Sequence, residues 1–189
     1  MALTDNTFVR IYESLFRAGR LLGTFMRPAT SIPELNSGVH EGVAYSISGY
    51  NSGLANNGTV VFFGMTGTKE VHFLALEFTS NIGGWLIELY EAPTVTTNGT
   101  LQTPVNLNFE STNTNGMTVY AGGTVSANGT IKITKHIHPL GSGSNAIAST
   151  EQSIKSGVIL KKNTTYMFKI TNNSGASSPY EITLQWIEK

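Results

Sequence analysis

His136-Ile137-His138 is the spacing that most directly suggests chemistry. Two residues apart on a strand, both imidazoles share a face, as two ligands of one metal ion would. A zinc site takes at least three protein ligands. Here Pro139-Leu140-Gly141-Ser142-Gly143 follows, and the next acidic residue is Glu151. The spacing supplies neither a third nor a fourth ligand. It predicts two exposed strand histidines and no metal.

Other chemistries fare no better. Asp5 is the only Asp in the chain, so within the body a Ser/His/acid set would have to use Glu as its third member. No Gly-x-Ser-x-Gly elbow occurs. Glu77, Glu88 and Glu91 lie close along one stretch and could supply a glycosidase pair, yet charges on a strand's outer face or end are usually solvated. Trp85, Tyr90, Tyr120 and Trp186 could stack on sugars, although aromatic residues at strand spacing more often fill a core. No phosphate loop, dinucleotide fingerprint or EF-hand is present. Asn57-Gly58-Thr59, Asn98-Gly99-Thr100 and Asn163-Thr164-Thr165 are formal glycosylation sequons, read here as turns. No catalytic set, cofactor or metal is expected.

The elements that would position these residues are strands. The 189 residues suffice for one domain with a core, or one domain plus an appendage. Charged residues make up only 13% while Thr, Asn and Gly abound, which favours strands and turns over helices. The chain has no Cys, so no disulfide staples it. The N-terminus shows no signal peptide and no stretch reaches about 20 apolar residues, so synthesis in the cytosol is expected. Net charge is zero, which gives no general drive toward nucleic acid.

The central stretch is Val71 to Glu91. Two apolar runs, 71–78 and 85–91, flank Thr79-Ser80-Asn81-Ile82-Gly83-Gly84 and predict a hairpin. In the first run Val71, Phe73 and Ala75 fall on one face and Leu74, Leu76 and Phe78 on the other, so both faces should be covered. Further strands are expected at 42–50, 59–65, 103–110, 117–121, 130–138, 156–160, 165–171 and 180–187. Val105, Leu107 and Phe109 would alternate with Asn106 and Asn108. Four Asn-Gly pairs punctuate the chain, and Asn128-Gly129 looks most like a hairpin turn. About eight to ten short strands imply an all-β, jelly-roll-like antiparallel sandwich over residues 38–189.

Residues 1–37 read as a separate arm. A helix is expected over 5–26, with Phe8, Ile11, Tyr12, Leu15, Leu22 and Met26 on one face. All four arginines, Arg10, Arg17, Arg20 and Arg27, lie here. Pro28 and Pro33 then favour an extended linker. The helix either packs on its own domain or docks on another subunit. In the docking alternative Phe8, Arg10, Ile11, Tyr12, Leu15, Arg17 and Arg20 bind the partner.

Three stretches together carry a resemblance: His40-Glu41-Gly42-Val43-Ala44-Tyr45-Ser46-Ile47-Ser48-Gly49; Glu70-Val71-His72-Phe73 with Glu88-Leu89-Tyr90-Glu91-Ala92-Pro93; and Leu160 to Gly175 with Leu184-Gln185-Trp186-Ile187-Glu188. From about Gly38 onward the chain resembles structural proteins of tailed-bacteriophage virions, the head decoration or cement type. The resemblance implies a β-sandwich displayed on the capsid surface, usually as a homotrimer. It also implies the major capsid protein as partner and no enzymatic activity, membrane or nucleic-acid contact. Two other classes stay open: a tail or fibre module that binds host surface glycan, and a small glycosidase or metal enzyme.

Overall fold

The computed structural model describes residues 34–138 and 152–189. The chain divides into Met1–Glu34 and a compact body, Leu35–Lys189. The expected helix over 5–26 and its candidate partner-binding residues lie outside the described residues.

The body opens with a short helix, α1 (Glu34–His40), at residues expected in part to be extended linker. Gly38 faces Ile187 so closely that a Cβ there would meet the Ile187 side chain at 2.7 Å. This close approach seats α1 on the sandwich.

Eleven strands follow: β1 (Ala44–Leu54), β2 (Thr59–Met65), β3 (Val71–Ser80), β4 (Trp85–Glu91), β5 (Thr94–Gln102), β6 (Val105–Asn106), β7 (Thr118–Ala127), β8 (Thr130–Ile137), β9 (Gln152–Leu160), β10 (Thr165–Asn172) and β11 (Ser178–Glu188). They form two antiparallel sheets, ordered β6-β1-β11-β3-β9 and β5-β7-β2-β10-β4-β8. Without the β5–β7 segment the sheets read β1-β11-β3-β9 and β2-β10-β4-β8, the two four-stranded layers of a jelly roll.

This topology overturns the expected hairpin. β3 belongs to the first sheet and β4 to the second, so 79–84 is a crossing between layers. Among the described strands, none pairs with its neighbour in sequence. Asn128-Gly129 likewise links β7 to β8, which do not pair, and Gly129 sits at φ +80° against the Glu91 and Ala92 backbone.

β3 is not apolar on two faces. The register slips by one between Phe73 and Ala75 against β9, and beside Trp186 against β11. This bulge switches the alternation, so Val71, Phe73, Leu76 and Phe78 all reach the core between the sheets. The residue-level motive for a covering subunit on β3 therefore disappears.

That core is strongly aromatic. Phe73 and Phe168 meet across the layers at 4.9 Å, and Phe78, Trp85 and Tyr180 cluster at 5.0 to 5.9 Å. Each such pair adds about 0.5–1.5 kcal/mol beyond burial. Trp85, Tyr90 and Trp186 are buried, which removes them as sugar platforms. Buried Asn172 is fully engaged, donating to the Leu54 and Ala176 carbonyls and accepting from the Ser174 N–H.

Candidate interaction surface

The β5–β7 segment is inserted between two framework strands, β4 and β8, and its placement shapes the most exposed apolar surface described. Phe63, Tyr90 and Met167 point away from the main core, because Phe62, Leu89 and Phe168 beside them point in. Val95, Tyr120 and Val125, from β5 and β7, pack against them and form a second, smaller core outside the sheet. Gly123 makes the close approach possible. A Cβ there would collide with the Phe63 ring and the Thr97 and Asn98 carbonyls.

The connection from β5 to β7 was expected to hold a strand over 103–110. Only Val105–Asn106 is strand. The Asn106 side-chain oxygen accepts from the Asn108 N–H at 2.9 Å, and that of Asn108 from the Glu110 N–H at 3.1 Å. These local bonds curl the chain, so the alternating asparagines mark consecutive turns and not a polar strand face. The Asn106 amide also donates to the Gly42 carbonyl, as do the Asn113 amide and Ser111 hydroxyl.

Glu188 clamps the far end of this loop. Its side chain is buried, and it accepts from the Gly116 N–H (2.6 Å), the Met117 N–H (2.9 Å) and the Trp186 indole (3.1 Å). Half-exposed Lys69 adds an ammonium at 3.4 Å. Beside it, the Tyr45 hydroxyl is buried without a hydrogen-bond partner among the described residues, and burial first, then the Glu188 charge, pushes its pKa up.

So held, the insertion displays Leu101, Val105 and Phe109, the last 86% exposed. Val105 pairs with Ser46 of β1, and Tyr50 of the same strand is 73% exposed. A groove of about 420 Å³ runs between β1 at Ser46–Ser48 and the chain at Gln102, Thr103, Val105 and Leu107. Its lining is hydroxyl, amide and aliphatic, with no charged side chain. These residues were missed because 42–50 and 103–110 read as ordinary core strands. Their one visible signal is Pro104, which has no N–H to continue pairing.

Several other ionisable residues are engaged in the fold. Glu91 pairs with Lys161 at 2.6 Å and Lys132 at 3.3 Å, tying β4 to β8 and to the β9–β10 turn. The hydrogen bond from Lys161, with Lys132 behind it, holds the Glu91 carboxyl below its ordinary pKa. Glu88 accepts from the Tyr90 hydroxyl, whose pKa is raised chiefly by burial. Glu77 stands on β3 in the other sheet, so the three glutamates converge on no common site. Glu70 bonds His72 at 2.6 Å, and that bond lowers its pKa. His136 and His138 are exposed on β8 and its end, with ring centroids 6.1 Å apart. Among the described residues no group of three potential metal ligands gathers, and no helix is long and apolar enough to cross a membrane.

Comparison with protein families, with curated proteins and with solved structures finds no match for this chain.

Proposed function

We propose that this chain is a structural protein of a tailed-bacteriophage virion, a capsid decoration or cement protein that binds the head exterior and stabilises contacts between capsomers. One observation carries the reading. The body holds Glu188 and Glu91 in bonds that brace its own loops and strands, while Leu101, Val105 and Phe109 of the insertion and Tyr50 of β1 are exposed and the groove between these two segments has no charged side chain in its lining. A surface built this way adheres. The residues behind the family resemblance support the same reading, since they fall on α1, β1, the ends of β3 and β4, and β10–β11, which form the framework. The partner is the major capsid protein, and the arm of residues 1–33 supplies a second contact.

Co-sedimentation tests this. Heads assembled from the major capsid protein alone are mixed with the purified chain and pelleted. Saturable binding at a fixed ratio to capsid subunits is expected. No binding to intact heads, or hydrolysis of a glycan by the purified chain, overturns the reading.

A further inference from the structure

We propose that the groove between β1 and the chain at Gln102–Leu107 binds a short, neutral oligosaccharide, with the Tyr50 ring as its stacking platform.

β1 sets the geometry. Tyr45 lies in the core and Ile47 packs against it, so Ser46, Ser48 and Tyr50 point outward from the first sheet. They follow one another about 7 Å apart along one face. Val105 pairs with Ser46 and stands beside the first of them, and exposed Tyr50 ends the row. The groove of about 420 Å³ runs over Ser46 and Ser48, so the Tyr50 ring stands next to its Ser48 end. That volume falls within the range of small-molecule sites, about 300–1,000 Å³.

The lining selects the ligand class. It holds no charged side chain, so nothing in it compensates the burial of a phosphate, carboxylate or ammonium group. The Ser46, Ser48 and Thr103 hydroxyls and the Gln102 amide each donate and accept. Ser48 shares a 2.9 Å bond with the Thr183 hydroxyl, and the Gln102 amide donates to the Thr100 carbonyl at 2.9 Å. These bonds steady two of the four groups and leave each with further capacity. Among the described residues, the Ser46 and Thr103 hydroxyls have no hydrogen-bond partner. Val105 and Leu107 place aliphatic surface between the polar groups. A sugar ring carries the matching mixture, with hydroxyls around its rim and C–H groups on its faces. An exposed aromatic ring beside the groove gives such a face somewhere to lie. Glu181, exposed on β11, stands opposite Tyr50. Its carboxylate accepts bonds from sugar hydroxyls and repels an anionic ligand.

The site goes beyond the capsid contact and does not rest on it. Leu101 and Gln102 are successive residues of β5 and point to opposite faces, so a contact through Leu101 does not fill the groove.

Titration of the purified full-length chain with maltotriose, cellotriose and triacetylchitotriose, followed by saturation-transfer NMR, tests this, with trigalacturonate as the charged control. At least one of the three neutral sugars is expected to bind saturably, with a dissociation constant of about 1 mM or tighter. Tyr50→Ala should weaken that binding about ten-fold or more through loss of the stacking surface, while Tyr50→Phe keeps most of it. Thr103→Val should weaken it several-fold through one lost hydroxyl. Ile159→Ala removes an exposed apolar group from β9, at the opposite edge of the same sheet, and should change nothing. Circular dichroism verifies that each variant is folded. Because the isolated chain is titrated, the outcome is independent of whether heads bind it. No binding of any neutral sugar, tighter binding of trigalacturonate, or a loss in Ile159→Ala as large as that in Tyr50→Ala overturns the proposal.

Discussion

Replacing Glu188 with Ala tests how the insertion is held. The substitution strands three donors: the Gly116 and Met117 N–H groups and the Trp186 indole. Gly116 is exposed and can turn to water, but Met117 and Trp186 are buried at 3% and 0% exposure. A buried donor left unpaired costs about 1–3 kcal/mol, so two of them give about 2–6 kcal/mol. Removing the carboxylate also relieves its own desolvation, which offsets part of the loss. The Lys69 pair adds little, because Lys69 is 45% exposed and screened. A net loss of about 2–4 kcal/mol is expected, a large share of the 5–15 kcal/mol typical of a domain. Urea unfolding followed by Trp85 and Trp186 fluorescence measures it. Glu188→Gln, which keeps one acceptor oxygen, should lose less, and Lys69→Met should lose under about 1 kcal/mol. Limited proteolysis of Glu188→Ala should cut first within 107–116. A loss below about 1 kcal/mol, with that loop still resistant, refutes the clamp.

Tyr45→Phe should leave stability unchanged or raise it by up to about 1 kcal/mol, since it removes a buried hydroxyl that has no partner among the described residues. Thermal unfolding checks this, and a clear loss would reveal a bond the account lacks. Gly123→Ala should destabilise by about 1–3 kcal/mol or more, because the methyl group overlaps Phe63 and two carbonyls. Wild-type stability in that variant would mean that β7 does not cross Phe63 so closely. Glu70 and Glu91 have folded pKa values below their unfolded ones, so each contributes stability that is present above the unfolded pKa and lost as pH falls through the folded one. Melting temperature should therefore fall on acidification below about pH 5, and less steeply in Glu91→Gln. A melting temperature that holds or rises there contradicts the pairing.

The strands were legible in the sequence because alternation marks a half-buried sheet. β2 appears at the expected residues, 59–65, and the other framework strands lie within a few residues of expectation. Pairing was not legible. Val71–Glu91 has the pattern of a hairpin, yet local pattern cannot tell a turn within one sheet from a crossing between two. The bulge in β3 hid in the same way, since one extra residue makes a one-faced strand look apolar on both faces. β5 was missed because Asn98-Gly99 reads as a turn, whereas Gly99 bends the strand at φ +85° beside Gly122 and Gly123. The exposed surface was the least legible part. Tyr50, Val105 and Phe109 have the residue types of a core, and only topology leaves them uncovered.

Cryo-electron microscopy of virions that encode this chain tests its proposed role most directly. The account predicts jelly-roll density of this topology on the outer face of the head, bridging neighbouring capsomers at a fixed ratio to the major capsid protein. Heads bare of such density, or the chain found only in a few copies at the tail, would contradict it.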